Sequence, residues 1–178
     1  MKNRKNILLA IVLLVIVLSG YSKRASAQDI NYKAYTLFVY NFMKYVEWPE
    51  DASKGDFVVG VYGDSPIFAE LTELAKQKKA KGRNIIVRKV NNADEAQQCH
   101  MLYLCSSKTK DFKIIQDKCK NKPLLVVGER EGLAEKGSAL SFVTLDDDAL
   151  KFDINKSAFE EHRLKISSSL LALGTVVK

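Results

Sequence analysis

The side chains able to do chemistry in this 178-residue chain are few, and their spacing does not suit catalysis. Two histidines, His100 and His162, and three cysteines, Cys99, Cys105 and Cys119, are the obvious candidates. A nucleophile needs a base within hydrogen-bond reach and a third group to orient that base, and neither histidine has a serine or cysteine at a spacing that forecasts such a pair. Cys99 and His100 are adjacent, but neighbours on a strand point to opposite faces, so the two alone cannot hold a metal. His100 opens an apolar run and reads as a hydrogen-bonded structural histidine. His162, in EEHR, reads as a solvated residue toward a helix end. HExxH, Gly-x-Ser-x-Gly, a phosphate loop ending in Gly-Lys-Ser/Thr and Cys-x-x-Cys do not occur. The expectation is a non-enzyme with no catalytic residue, metal site or cofactor.

The cysteines carry a second kind of chemistry. Cys99 and Cys105 bracket one strand-like run and would lie about 20 Å apart, too far to join. Cys119 ends the helix that follows; a helix returning antiparallel to the strand brings it back toward Cys99. Cys99 with Cys119 is therefore the pair to expect if a disulfide forms, and three buried reduced thiols is the arrangement it competes with.

Binding is easier to place than catalysis. In open parallel sheets ligands sit beyond the carboxyl ends of the strands, where turns and helix starts present free backbone N–H groups. Gly63-Asp64-Ser65-Pro66, Ser106-Ser107 and Gly128-Glu129-Arg130-Glu131-Gly132 fall at such ends. Each also suits ordinary turn and capping chemistry.

These positions require particular elements. From Asn31, Tyr35, Phe38, Val39, Phe42, Tyr45 and Val46 recur at the helical period, and Pro49 marks the end of that helix. Leu37 and Tyr40 lie on its other side, so the helix calls for cover on more than one face. Most of its rings read as core; Tyr40 and Trp48 fall outside the main stripe and are the candidates for a partner contact. DFVVGVYG (56–63), NIIVRKV (84–90), HMLYLCS (100–106) and PLLVVG (123–128) read as strands. Between them, Asp64-Ser65-Pro66 starts a helix running to about Lys79, and Ser106 or Ser107 is expected to cap a helix over 111–118. Such uniformly apolar runs separated by helices indicate parallel strands buried on both faces. SALSFVTLDD (138–147) and ALKFDIN (149–155) read as a hairpin around Asp146, Asp147 and Asp148, with helical sequence from Lys156, broken near Arg163. The expected fold is one α/β sandwich with a largely parallel central sheet flanked by helices, plus a C-terminal hairpin and helix.

Residues 1–27 read as an address. Lys2, Arg4 and Lys5 precede an apolar run over 7–18 and an Ala25-Ser26-Ala27 cleavage site, the pattern of a secretory signal; a spanning helix needs about 20 apolar residues. The expectation is a signal peptide over 1–27, a domain over 28–178 and a periplasmic location. The leader holds five of the 28 basic residues and none of the 21 acidic ones, which leaves the rest at +2. A near-neutral domain lacks the basic face that nucleic acid requires. Its 151 residues suit a single core.

YNFMKYVEWP, VYGDSPIF, GRNIIVRKV, CHMLYLCSS, GEREGLAEKGSALSFVTLDDDALKFDIN and HRLKISSSLLALGTVV, taken in this order, resemble the YfiR-like periplasmic regulators over nearly the whole domain. The resemblance implies an α/β sandwich that dimerises and restrains an inner-membrane signalling protein, a diguanylate cyclase or a sensor kinase. Redox change or a small molecule would gate it, and cyclic-di-GMP output would control biofilm behaviour. The alternative is a periplasmic small-molecule binding domain serving a sensor or transporter. The family's ligand pocket maps by motif position to Lys44, Asp153, Lys165 and Ser167. Structural roles compete at three of these: Lys44 as solvent surface, Asp153 as a cap of the next helix, Ser167 as a bond to its own turn. The family type has four cysteines in two bridges; this chain has three, and only Cys99, by its Cys-His context, matches a bridge position.

Overall fold

The computed structural model describes residues 31–145 and 149–178. The leader expected over 1–27 and the turn at Asp146, Asp147 and Asp148 lie outside them. In chain order the elements are α1 (Tyr32–Tyr45), β1 (Val46–Glu47), β2 (Phe57–Tyr62), α2 (Ile67–Gln77), β3 (Lys79–Ala80), β4 (Arg83–Val90), α3 (Ala93–Ala96), β5 (Met101–Leu104), α4 (Phe112–Lys118), β6 (Leu125–Gly128), β7 (Leu140–Thr144), β8 (Leu150–Asn155), α5 (Lys156–Glu161), β9 (Lys165–Ile166), α6 (Ser168–Leu171) and β10 (Thr175–Val177). Turns of 3₁₀ helix occupy Glu50–Ala52 and Ser106–Asp111.

Eight strands form one sheet in the order β10-β8-β7-β6-β5-β2-β4-β3. Strands β4, β2, β5, β6 and β7 run parallel. The expected hairpin closes one side, with β7 and β8 antiparallel. Alternation then fills two cores. Met101 and Tyr103 of β5, Val59 and Val61 of β2, and Leu125 and Val127 of β6 pack with α1, α2, α5 and α6 on one face. Leu102, Leu104, Val126 and Tyr62 pack with α3 and α4 on the other. Two apolar faces explain why these strands are continuous hydrophobic runs.

Helix α1 takes its start from Asn31, whose side chain accepts the Ala34 N–H at 3.2 Å. Tyr35, Val39, Phe42 and Met43 are buried, and Phe42 lies 5.8 Å from Phe142 and 5.0 Å from Phe152, centroid to centroid. Of the rings in this helix, Tyr35 and Phe42 are buried core, and Tyr32, Phe38, Tyr40 and Tyr45 are partly buried and pack against that core. The helix ends at Tyr45, ahead of Pro49, because Val46 and Glu47 turn extended and pair antiparallel with β9. On the side outside the main stripe Tyr40 packs partly buried against the core, whereas Leu37 is 60% exposed.

Other expectations need correction. Neither Ser106 nor Ser107 caps α4; a 3₁₀ turn intervenes and the residue before the helix is Asp111, with no side-chain cap. The last residues are not helical throughout, since β10 adds to the sheet edge parallel to β8. His162 is not solvated. It is 4% exposed, terminates α5, and sets Nδ1 2.7 Å from the Lys122 carbonyl oxygen. Asn155, rather than Asp153, caps α5, accepting the Ala158 N–H at 3.1 Å.

Candidate functional site

The chain leaves β2 for β4 on one side and returns across it to β5 on the other. The carboxyl ends of β2 and β5 therefore flank the switch point of the sheet, the place where open α/β sheets form a crevice. Glu129, the residue after β6, reaches into this region and is 8% exposed. One carboxylate oxygen, Oε1, accepts from the Tyr103 hydroxyl at 3.0 Å and the Ser65 hydroxyl at 3.3 Å. Oε2 accepts from the Ser106 N–H at 2.7 Å. A buried carboxylate is costly unless its lone pairs are used, and here donors from the ends of β2 and β5 use them. Glu129 thus ties three strand ends together.

Three neighbouring groups, Tyr103, Cys105 and Tyr32, are pushed toward their protonated forms. Burial, then the Glu129 charge, raises the Tyr103 phenol far above its usual range. The same two causes push the Cys105 thiol up to about 12. Tyr32, at the start of α1, lies beside Ser65 and Glu129 and is raised chiefly by burial. The cluster is an acceptor ringed by donors, suited to holding a polar group in place. Gly63 makes the crevice tight: at φ 112° a Cβ here would come within 2.8 Å of the Cys105 Cβ. Beside it a cavity of about 260 Å³ is lined by Tyr62, Asp64, Lys89, Asn91 and Lys108, with Lys89 paired to Asp64 at 3.0 Å.

At the opposite end of the strands, Trp48 and His100 form a second polar cluster. The Trp48 Nε1–H donates to the His100 carbonyl at 3.1 Å, and the indole meets Phe57 edge-on at 4.8 Å. His100 stacks on Phe57 at 5.1 Å and its Nδ1 accepts the Val58 N–H at 3.0 Å. Arg83 places a guanidinium nitrogen 2.8 Å from His100 Nε2. It also donates to the carbonyls of Ala52, Lys54, Gly55 and Asp56, clamping the loop before β2. Burial, then Arg83, lowers the His100 pKa to about 4. His100 is hydrogen-bonded structure, as its position in the sequence suggests. A groove of about 290 Å³ lies alongside, lined by Glu47, Trp48, Phe57, Lys81 and Arg83 among others.

The four residues mapped to a ligand pocket do not all meet. Lys44 is exposed, 5.8 Å from the Tyr40 ring centroid and 5.4 Å from that of Tyr45. Ser167 donates its N–H to the Tyr45 carbonyl at 3.0 Å and caps α6 with its hydroxyl. Lys165 faces Glu47 across the β1–β9 ribbon. These three gather at the end of α1. Asp153 lies between Phe152 and Ile154 on β8, both of which point into the α1 core; it therefore points to the other face. There burial, then Glu131 and Glu135, raises its pKa. Tyr40 donates to the Lys79 carbonyl at 3.4 Å and Trp48 is half-buried, so both contribute to packing as well as surface. All three cysteines are free and buried. Cys99 and Cys119 share one core cluster, and burial, then Cys99, raises Cys119 to about 11.

Glu129, Tyr103, Tyr32 and Arg83 were not singled out by residue type or spacing. The GEREG run located the loop that carries Glu129, but nothing local says which of its charges turns inward.

The architecture is that of a doubly wound α/β domain, with a largely parallel sheet and a polar crevice at its switch point. The model of the YfiR/HmsC-like family matches residues 32–175, and the chain belongs to that family. Among solved structures, a conserved domain protein from Vibrio cholerae O1 biovar El Tor N16961 is similar at 15% identity and a TM-score of 0.50, covering 83% of this chain and 60% of its own. The ABC domain from Streptococcus pneumoniae in complex with L-Trp aligns at 14% identity and a TM-score of 0.47, covering 68% of this chain and 55% of its own. The chain thus spans less than two thirds of the length of either structure. The first likeness shows the fold alone. No curated protein matches the chain.

Proposed function

We propose that the chain is an exported, non-catalytic regulator that acts from the periplasm by binding and restraining an inner-membrane signalling protein, a diguanylate cyclase or a sensor kinase. The observation that carries this reading is the family match over residues 32–175, which spans the described domain from the first turn of α1 to the start of β10. The leader pattern at residues 1–27 agrees with export. Trp48 and Tyr40, at the outer edge of the α1 core, are the proposed partner contacts, and Lys44, Lys165 and Ser167 a ligand-facing cluster beside them. Asp153 belongs to the proposal only as a separate contact on the opposite face. Homodimerisation remains part of this reading through the family.

Expression of the full chain should lower cyclic-di-GMP and surface attachment in a host carrying the cognate membrane protein, and deletion should raise both. Trp48→Phe, which keeps a ring against Phe57, should weaken capture of that protein from inner membranes without unfolding the domain. Retention of the chain in the cytosol with its first residues intact would overturn the proposal, and unchanged cyclic-di-GMP on deletion would remove the cyclase as its partner.

The Glu129 crevice favours a second reading as a small-molecule binding domain serving a sensor or transporter, because its carboxylate oxygens and hydroxyls lie where such sheets take ligands. Thermal shift against amines and amino acids would test it. A shift abolished by Glu129→Gln supports ligand binding at the crevice, and no shift across the panel removes it.

A further inference from the structure

On the face of the sheet opposite α1, the loop after β6 folds back toward α4 and the 3₁₀ turn before it. An open-sided groove of about 350 Å³ remains between them. Phe112 and Leu133 line it, 6% and 4% exposed. Lys110 and Lys113 come from one wall, Arg130 and Lys136 from the other, and all four are exposed. Among the described residues Glu131 is the only acidic one in the lining. In a domain whose charges nearly cancel, this is a local excess of positive charge. Lys113 is paired with Asp117 at 2.8 Å. Among the described residues Lys110, Arg130 and Lys136 make no ion pair within 4 Å.

We infer that this groove is a docking site for an acidic, partly apolar peptide segment of a partner protein. The inference rests on the regulator reading and specifies where and how the partner engages. Charge complementarity gives the sign of the occupant. The distribution of the cations gives its form: a single small anion is held by convergent, desolvated donors, whereas these cations stand apart on two exposed rims and match carboxylates spaced along a chain. The groove is concave, so a bilayer surface, which is flat on this scale, does not enter it. Phe112 and Leu133, themselves nearly buried, form the apolar floor, and the charged rim steers and orients, as in other protein interfaces.

The probe is a labelled synthetic peptide in which glutamates surround a pair of leucines, titrated into the full chain and followed by anisotropy. Binding should weaken as salt rises. Lys110→Glu with Arg130→Glu should weaken it by about tenfold or more, since two attractions become repulsions. Lys110→Gln with Arg130→Gln should act in the same direction but less. Lys78→Glu with Lys178→Glu makes the same change in net charge away from the groove and should leave affinity within about twofold. Equal loss from both glutamate pairs, or no binding by the wild type, overturns the inference. So does groove-dependent binding of phosphatidylglycerol vesicles without binding of the peptide, which would assign the surface to lipid. Capture of the signalling protein from inner membranes is run in parallel. Capture unaffected by the groove variant removes the groove and leaves the regulator reading standing; groove-dependent peptide binding with no captured signalling protein does the reverse.

Discussion

Acidification from pH 7 to pH 5 should destabilise the domain through His100. A neutral imidazole has one acceptor nitrogen, and in this structure both ring nitrogens face donors, the Val58 N–H at 3.0 Å and the Arg83 guanidinium at 2.8 Å. A second proton would remove that acceptor and set a cation against a cation. Burial first, and Arg83 second, hold the pKa at about 4, against an ordinary 6.5. Because the folded value is depressed, the unfolded chain takes up the proton first. Stability is complete above the unfolded value and declines as pH falls through the window from 6.5 to 4. Over the interval from pH 7 to 5 the whole shift would correspond to nearly 2 kcal/mol, and about 1 kcal/mol remains once screening at a partly exposed ring is allowed for. Urea unfolding followed by the fluorescence of Trp48, the only tryptophan, reads the effect beside its source. The midpoint should fall by roughly 0.5 M for a domain of this size. His100→Asn, whose amide oxygen can take the Val58 N–H, should lose most of this pH dependence. Identical slopes for wild type and variant between pH 5 and 7 would refute the assignment to His100.

Glu129→Ala should cost about 3 kcal/mol in urea unfolding, since it strands donors from Tyr103, Ser65 and Ser106; Glu129→Gln should cost less, and a loss under about 1 kcal/mol for the alanine variant would show that water replaces the carboxylate. Gly60→Ala should cost about 1 to 3 kcal/mol by overpacking, because its Cβ would fall 2.7 Å from both Cys99 Sγ and Val90 Cγ2; a neutral result would mean that the β2–α3 layer yields. Protein purified under reductant should titrate three thiols after denaturation. After oxidised glutathione it should titrate one, with Cys99→Ser retaining both of its remaining thiols, if Cys99 and Cys119 are the pair that bridges. Closing that loop of about 20 residues would add about 3 kcal/mol, and three thiols surviving the oxidant would remove the bridge.

Much of this architecture was legible in the chain because its physics is local. Strands β2, β5 and β6 are buried on both faces, so they had to be continuous apolar runs, and α1 had to repeat its apolar residues at the helical period. What stayed hidden depends on distant partners. The β1–β9 ribbon pairs only Val46 with Ile166 and Glu47 with Lys165, and two residues carry no period. Strand β10 exists because Thr175, Val176 and Val177 find β8 at the sheet edge. Leu37 looked as though it needed cover because hydrophobicity reports the cost of exposure, whereas 60% of its surface stays open in this chain.

The polar sites divide along the same line. The turns at the strand ends were visible as Gly, Ser and Asp clusters, but the residue that binds them together was not: Glu129 meets Tyr103 from 26 positions away and Ser65 from 64. Its neighbours Arg130 and Glu131 have the same polarity in the sequence and face a different groove. His100 could be read as structural because it opens a buried strand, whereas His162 was misread because its partner, the Lys122 carbonyl, lies 40 positions away. Most buried polar groups among the described residues find their partners in distant segments, as Glu129, Asn155 and His162 do, whereas Thr36 Oγ1 and Arg88 Nε have none. The docking proposed for the groove beside α4 depends on the same kind of long-range assembly, because its cations, Lys110 and Lys113 on one side and Arg130 and Lys136 on the other, come from two segments that only the folded chain brings together.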